Sequence, residues 1–512
     1  IILSGVGFGN WLLPEGYMWA FRGPYDRPHR IEYLIRHLTG TEYANNFWKQ
    51  FKDAYTTKRD IELIAEMGFN SVRIPFNWRV LMKDEPGVEF EEDGFKLIDR
   101  CLDWCEEFNI YVVLDLHGAP GGQTGSNIDD CIDDIPRLFI DSESREKAIV
   151  LWEEIARRYK DRDIVAAYDL LNEPLRTSLP NKPDTEYLHP ELVRFYDDCV
   201  AAIRRIDDRH AISIEGANWS SRTDTFYKSY DEKMIIHFHR YGNLPGEESY
   251  TEWIELSERL NAPIWLGESG ENKDEWCTAM YPLGVKLGIG FNFWPWKKLT
   301  GLNSSPLEIK RPEDWDKITS FVSGGPRPSY KEAQEIFDEY LNNIKADNCH
   351  RNDNIVNSVL RRAPVTVMGT DFDTGEDCCS GKRPKGNLYR YRSKTGMHIK
   401  PRRGMVYSRG QHGFDSGWEK LCLELNAGEW AIYSVNDISR GVTVSVEAEA
   451  DGAASMRVTL DADDAKENIV SFAGGKETIT AQKIECSGDC RFKIECISGS
   501  IDIHSIKFSE LD

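Results

Sequence analysis

Two glutamates stand directly after short apolar runs and could act together in acid–base chemistry. Glu173 ends the segment Asp169-Leu-Leu-Asn-Glu, and Glu268 ends the segment Pro263-Ile-Trp-Leu-Gly-Glu. Two carboxyl groups that meet about 5 Å apart can cleave a glycosidic bond with retention, because one protonates the leaving oxygen while the other attacks the anomeric carbon. Acidic residues are common in a chain that has 85 of them. The residues around this pair must therefore decide whether it is catalytic.

An arginine and several ring-bearing side chains mark other apolar runs. Arg73 lies inside the run Val72-Arg-Ile, and burying an arginine is costly unless a carboxylate lies close by. We therefore predict that Arg73 braces Glu268. Active sites of eight-stranded α/β barrels form at the C-terminal ends of the strands. Further residues predicted to meet there are His117, His239, Tyr241 and Trp294.

The elements that would carry these residues follow one pattern as far as residue 345. Short apolar runs alternate with amphipathic stretches such as residues 95–108, whose apolar side chains recur at helical spacing. That alternation is typical of a parallel sheet wrapped by helices. Eight units of this kind predict an α/β fold, a (β/α)8 TIM barrel, over residues 1–345. The predicted strands are residues 1–9, 71–77, 111–117, 165–173, 211–216, 234–239, 263–268 and 288–294.

Two connections of the predicted barrel are much longer than a tight turn. They span residues 10–57 and 118–145. Long loops at the C-terminal rim are where barrel enzymes build substrate pockets, so we expect both connections to shape the site.

The helical pattern ends near residue 345, and a second domain is predicted over residues 350–512. Polar and apolar residues alternate there, as in Val442-Thr-Val-Ser-Val and Ile501-Asp-Ile-His-Ser-Ile. Gly, Asp and Asn separate the short segments, which favours an all-β sandwich of antiparallel strands. A chain of 512 residues also exceeds the length of about 250–300 residues at which single cores stop growing.

Composition excludes several classes of partner. The formal net charge is −22, whereas proteins that bind nucleic-acid phosphates carry clustered Lys and Arg. The mean hydropathy is −0.51, and no run reaches the roughly 18 apolar residues of a membrane span. The twelve cysteines lack the paired spacing of a zinc site, so no metal is predicted in the site, and Cys486, Cys490 and Cys496 could include a disulfide. A neutral sugar polymer or oligosaccharide fits better.

Six motifs in sequence order resemble those of glycoside hydrolase family 5, and together they cover the whole predicted barrel. The resemblance implies a retaining mechanism in a clan whose acid/base follows strand four and whose nucleophile follows strand seven. Those residues are Glu173 and Glu268 in this chain. The motifs are Gly68-Phe-Asn-Ser-Val-Arg-Ile-Pro, Leu116-His-Gly-Ala-Pro-Gly-Gly-Gln, Asn172-Glu-Pro, Phe238-His-Arg-Tyr, Leu266-Gly-Glu and Phe293-Trp-Pro-Trp-Lys.

The same resemblance implies roles for the residues around the pair. It makes Arg73 the brace of the nucleophile, Asn172 a partner of the sugar 2-hydroxyl, and Tyr241 a hydrogen-bond partner of the nucleophile. The residues implied to contact sugar in the −1 subsite are His117 and His239, with Trp294 as the stacking floor.

Two expectations concern the neighbours of this pair. His237 shares a strand face with His239 because they are two residues apart, and we place it in a second layer. We expect Glu173 to have a higher pKa than Glu268, because the adjacent anionic nucleophile disfavours a second charge.

The substrate is less sharply indicated. The segments Gly118-Ala-Pro-Gly-Gly-Gln and Gly7-Phe-Gly-Asn-Trp-Leu look most like the exo-acting β-1,3-glucanase branch of the family. This resemblance implies a β-linked glucan cleaved from one end. Alternatives are another glycoside that is xylan-, arabinose-, mannose- or galactose-linked, an endo-glucanase, a transglycosylase, and a barrel that binds glycan without catalysis.

The tail resembles carbohydrate-binding modules of families 6 and 35 around Leu425-Asn-Ala-Gly-Glu-Trp. Whether it binds glycan or only braces the barrel stays open. Trp430 and Tyr433 alternate within an apolar strand and are predicted to be core, whereas candidates for sugar stacking are Trp418, Tyr389 and Tyr391.

Further expectations follow from these interpretations. No cofactor is predicted, although acidic residues near Asp371 and Asp502 permit a structural calcium in the tail. A monomer is expected. An appended module of this type suggests an extracellular or cell-surface protein, and the chain opens inside an apparent strand, so a signal peptide would have been removed or never existed.

Overall fold

The structure, a computed structural model, describes residues 1–179, 182, 184–375, 377–386, 391–407, 417–461 and 469–511. Contacts along the chain group into two compact units. The first comprises residues 1–240, 252–271 and 289–352, and the second comprises residues 241–251, 272–288 and 353–512. The predicted domain boundary near residue 345 stays a prediction.

Eight parallel strands close into a barrel in sequence order, each hydrogen-bonded to the next and the last to the first. The predicted (β/α)8 barrel is therefore confirmed. The strands are β1 (Ser4–Gly7), β2 (Ser71–Asn77), β3 (Tyr111–Gly118), β4 (Val165–Asp169), β5 (Ala211–Glu215), β6 (Met234–Arg240), β7 (Ile264–Gly270) and β8 (Gly290–Trp294).

Helices follow the strands where the sequence supplies apolar faces and end signals. Thr57 and Asp60 form a reciprocal capping box at the start of the third helix, and Asn109 ends the fifth in a left-handed conformation. The long connection after β1 contains two helices. The helices up to the end of the barrel are α1 (Pro28–Thr39), α2 (Thr41–Tyr55), α3 (Lys58–Glu66), α4 (Trp78–Leu81), α5 (Glu92–Phe108), α6 (Ser142–Tyr159), α7 (His189–Arg204), α8 (Ala217–Ser220), α9 (Thr251–Leu260), α10 (Asp274–Lys286), α11 (Trp315–Val322) and α12 (Tyr330–Asn343).

A short sheet and one helix complete the chain before the tail. The small sheet is formed by β9 (Lys297–Leu299), β10 (Leu307–Ile309) and β11 (His350–Arg351), and the helix is α13 (Asp353–Leu360).

The tail is built from antiparallel strands in two sheets, which confirms the predicted all-β sandwich. One sheet has the order β13-β14-β21-β16-β19 with β12 paired to β21, and the other has the order β15-β20-β17-β18. The rings of Phe492 and Phe508, one from each sheet, lie 5.0 Å apart. The strands are β12 (Val365–Met368), β13 (His398–Pro401), β14 (Leu421–Asn426), β15 (Trp430–Ile438), β16 (Val442–Ala450), β17 (Ala454–Leu460), β18 (Ile469–Phe472), β19 (Gly475–Ile484), β20 (Gly488–Ser498) and β21 (Ser500–Glu510).

The aromatic residues proposed to stack on sugar in the tail are mostly part of its interior. Trp418 and Tyr391 are buried, so their prediction as sugar platforms is wrong, because aromatics next to loops fill gaps in the core. Tyr389 lies outside the described residues. Tyr433 is buried as predicted and donates to the Gly369 carbonyl, whereas Trp430 is half-buried beneath the Lys493 ammonium.

Other expectations about the tail have mixed outcomes. All twelve cysteines lie among the described residues as free thiols, so the disulfide considered for Cys486, Cys490 and Cys496 is not formed. Asp502 bonds the Lys400 ammonium at 2.8 Å, and calcium binding stays a prediction. Across the described ranges, none of the helices has both the length and the apolar character to span a bilayer.

Candidate active site

Arg73 lies at the centre of the charged residues that end the barrel strands. It is fully buried on β2. Its Nη1 donates to Glu268 Oε2 at 2.6 Å, and its Nε donates to Asp169 Oδ2 at 2.9 Å. Burial alone would lower its pKa, but the carboxylates around it together hold the pKa well above the ordinary value. Further acceptors around Nη2 are Asn172 Oδ1 at 2.8 Å, Glu215 Oε1 at 3.0 Å and Asp115 Oδ2 at 3.1 Å.

Glu173 follows β4 in a constrained backbone conformation. Its φ is 43°, in the left-handed region that residues other than glycine rarely adopt. The Glu173 N–H donates to Glu215 Oε2 at 2.7 Å, and Thr124 Oγ1 donates to the Glu173 carbonyl at 2.8 Å. These bonds hold the carboxyl-bearing residue at the barrel mouth.

The two predicted catalytic carboxyls meet around one imidazole. His239 Nδ1 lies 2.7 Å from Glu173 Oε1 and 3.8 Å from Glu268 Oε1. One oxygen of each carboxyl group and this nitrogen all lie within 4.8 Å of one another. The separation suits a sugar carbon that is attacked from one side and loses its leaving group toward the other.

A second imidazole lies behind the first. His239 Nε2 lies 3.0 Å from His237 Nε2, and His237 Nδ1 lies 3.1 Å from Asp169 Oδ1. The next strand makes room for this ring at Gly267, where a Cβ would come within 2.0 Å of His237 Nε2. A chain of polar contacts therefore runs from Glu173 through both imidazoles to a buried carboxylate.

His117 and Trp294 form a stacked pair at the same rim. Their rings lie 5.3 Å apart with an interplanar angle of 5°. His117 Nδ1 lies 2.7 Å from Asp115 Oδ2, and His117 Nε2 lies 3.2 Å from Asn172 Nδ2. Nδ1 therefore carries the proton, and Nε2 accepts from the amide.

Tyr241 follows the end of β6 and belongs to the second compact unit. Its carbonyl accepts a bond of 2.7 Å from Asn272 Nδ2. Its predicted bond to the nucleophile stays a prediction.

The ionisable groups of this site are shifted in different directions. Burial raises the pKa of Glu173, and the charges of Glu268 and Glu215 add to that shift, while His239 opposes it. Burial is thus a larger cause than the nucleophile's charge, which was the cause expected from the sequence. Burial would raise the pKa of Glu215 too, but His237, His239 and Arg73 hold it well below its usual range.

His239 is biased toward its charged form. Burial alone would lower its pKa, but Glu215, Glu268 and Glu173 raise it well above the ordinary value. The carboxylates around His239 therefore favour its imidazolium form.

The same side chains have the spacing of possible metal ligands. Glu215, His237 and His239 form one such group, and Glu173, His239 and Glu268 form another. A carboxylate and imidazole set of this kind suits zinc or a similar ion. The expectation that the site works without a metal stays a prediction.

Comparison with known proteins decides the family. Residues 35–298, just over half of the chain, match the family described as cellulase, glycosyl hydrolase family 5. The chain belongs to glycosyl hydrolase family 5. The resemblance stated from the six sequence motifs is thereby confirmed.

Three curated relatives are each similar to part of this chain. A β-xylosidase of Phanerodontia chrysosporium is 32% identical over 54% of this chain and 56% of its own length. Endoglucanase C of Acetivibrio thermocellus is 31% identical over 43% of this chain and 60% of its own length. A probable glucan 1,3-β-glucosidase A of Aspergillus fumigatus is 27% identical over 54% of this chain and 66% of its own length. The chain spans less than two thirds of each.

Several buried residues of this family 5 site were not sequence candidates. A signal existed for two of them: strand side chains two apart share a face, so Asp115 accompanies His117. Glu215, which ends β5, follows the strand-end rule used for the other candidates. Glu15 is buried after β1, and its raised pKa reflects burial first and then the charges of Glu268, Glu271 and Glu173. Nothing in the local sequence indicated Glu15.

Proposed function

We propose that this chain is a retaining β-glycoside hydrolase in which Glu173 is the acid/base and Glu268 the nucleophile. The observation that carries the proposal is the approach of the two carboxyl groups, with one oxygen of each within 4.8 Å of the other and of His239 Nδ1. Glu268 lies near the end of β7, and Glu173 lies shortly after the end of β4, in a family 5 chain.

The surroundings of the two carboxyl groups favour the states that this mechanism requires. Arg73 donates to Glu268 at 2.6 Å and so favours its anion. Burial keeps Glu173 protonated to a higher pH than an ordinary glutamate. Glu268 would attack the anomeric carbon while Glu173 gives its proton to the leaving oxygen, and Glu173 would then deprotonate the water that releases the sugar.

A β-linked glucan cut from one end is the leading substrate. Glu15 and Tyr17, in the segment after β1, support a closed sugar pocket beside the pair. Glu15 is buried close enough to Glu268 for their charges to interact, and Tyr17 accepts a 2.8 Å bond from Trp294 Nε1. A buried carboxyl can accept bonds from the hydroxyls of a terminal sugar. A β-xyloside is the second candidate, because the first relative carries that name.

Two variants test the mechanism. Glu268→Gln is expected to lower kcat by on the order of 10⁴-fold or more, because no covalent intermediate forms. Glu173→Ala is expected to lower kcat/KM by about 10²–10⁴-fold on glycosides with poor leaving groups, to spare activated aryl glycosides, and to yield a β-glycosyl azide with azide. The alkaline limb of kcat/KM should disappear in Glu173→Ala. Inversion at the anomeric carbon would reject the proposal.

A substrate panel tests the specificity. Aryl β-glucoside, β-xyloside, β-mannoside and α-glucoside are compared with β-glucan, xylan and mannan of defined length. Release of single sugars from β-glucan ends would support the exo-glucanase assignment, and mixed internal fragments would overturn it. Products carrying an added acceptor sugar would identify a transglycosylase. If no β-glycoside were hydrolysed, the remaining candidate would be a barrel that binds glycan without catalysis.

A further inference from the structure

A cavity lies apart from the carboxylate pair, in the first compact unit. It has a volume of about 780 Å³ and is bounded by residues of α1, α2, α4 and α5. Neither Glu173 nor Glu268 lines it. Its size falls within the range of about 300–1,000 Å³ found for small-molecule sites. Helices α1 and α2 lie in the insertion after β1, so this insertion supplies part of the cavity wall.

The cavity wall carries six cations and four carboxylates, although the chain has a net charge of −22. Lys96 pairs with Asp93 at 2.7 Å. Arg79 pairs with Glu32 at 3.1 Å, and Arg100 pairs with Asp53 at 3.2 Å. Among the residues that the structure describes, three other cations that line the cavity have no ion pair: Arg36, Lys49 and Lys52.

Lys52 is the least exposed of these three cations. It is half-buried, and burial lowers its pKa. The charge of Arg79 adds to that shift, whereas the attraction of Glu32, Asp53 and Glu91 opposes it. A partly buried ammonium without a paired carboxylate is costly. An anion inside the cavity would offset that cost.

Trp48 gives the same cavity an aromatic wall. Its indole is half-buried against Trp19, with the two ring centroids 5.9 Å apart. Its Nε1 has no hydrogen-bond partner among the described residues. An aromatic face that lies beside unpaired cations suits a ligand with both an apolar ring face and an anionic group.

We propose that this cavity binds an acidic sugar of a glycan, with its carboxylate at Lys52 and its ring against Trp48. The proposal goes beyond the proposed function, because it adds an acidic sugar that Glu173 and Glu268 do not contact. A sugar phosphate has related chemistry, and the experiment separates the two.

Calorimetric titration of the full chain carrying Glu268→Gln tests the proposal without hydrolysis. The ligands are an oligosaccharide with one glucuronate residue, its neutral analogue of equal length, glucose 6-phosphate and inorganic phosphate. Adding Lys52→Met is expected to weaken glucuronate binding at least tenfold and to leave the neutral analogue unchanged. Trp48→Phe should retain part of the affinity that Trp48→Ala loses. The matched control is Lys331→Met, at a lysine whose side chain is 85% exposed.

The binding results decide the proposal whether or not the chain hydrolyses glycosides. Unchanged glucuronate binding in Lys52→Met would overturn the proposal, and so would an equal loss in Lys331→Met. If inorganic phosphate bound as tightly as the glucuronate oligosaccharide, the cavity would bind anions without recognising a sugar, which would overturn the proposal. Tight binding of glucose 6-phosphate without glucuronate binding would overturn the proposal and identify a sugar phosphate as the ligand.

Discussion

At the ends of the barrel strands the buried side chains are charged, whereas between the two sheets of the tail they are apolar. Arg73 is fully buried there, and it bonds three fully buried carboxylates: Asp115, Asp169 and Glu215. The sheet interior of the tail instead holds residues such as Phe508. Buried charges are a poor source of stability but give fixed geometry and shifted pKa values. Apolar burial gives stability without chemistry.

Removing the central cation, Arg73, should have the largest effect on stability and on activity. Arg73→Met leaves several buried carboxylates without their common partner, so we expect a loss of about 3–5 kcal/mol in stability and nearly all activity. Arg73→Lys keeps the charge but cannot reach as many acceptors, and should recover stability more than kcat/KM. Thermal unfolding and kcat/KM are measured together.

The control for Arg73 is Arg205→Met, at a side chain that is 63% exposed. It should be close to neutral in both measurements. A fully stable and active Arg73→Met would mean that the charged centre does not organise the site.

Neutralising Glu215 should cause the next largest fall in kcat/KM. Glu215→Gln keeps the size and an acceptor for the Glu173 N–H but removes a charge that faces Arg73 and His239. A charged hydrogen bond is worth about 1.5–3 kcal/mol, so kcat/KM should fall roughly 10–100-fold. Exposed Glu107→Gln is the control. Full activity in Glu215→Gln would show that the backbone of Glu173 needs no charged support.

The sequence predicted the strands well but the contacts among their charges poorly. The bounds of β2 match the prediction of 71–77 because its apolar run is sharply delimited. The predicted fourth strand reached residue 173, whereas β4 ends at Asp169. The left-handed backbone of Glu173 does not fit a strand, and no local pattern indicated it. Contacts such as Arg73 to Glu215 join residues far apart in the chain, and no local pattern encodes them.

Replacing His237 should lower kcat/KM less than replacing Arg73 or Glu215. His237 reaches Glu173 indirectly, through His239 and through Glu215. His237→Ala should therefore lower kcat/KM about tenfold, because it leaves a buried donor of His239 unpaired. His237→Gln can restore an acceptor there and should regain activity. A purely structural role would lower the thermal midpoint without moving the pH profile of kcat/KM. An unchanged pH profile in His237→Ala would therefore reject a link to the acid/base.

An apolar truncation in the tail should have the least effect on catalysis. Phe508 is fully buried on β21 and packs on Phe492, so Phe508→Ala should cost about 3–5 kcal/mol of stability. The ring takes no part in the charged centre, so kcat per folded molecule should stay the same. Lys507→Ala, at the exposed neighbour on the same strand, should change neither quantity. A fall in kcat at a temperature where Phe508→Ala is folded would show that the apolar interior also sets the geometry of the charges.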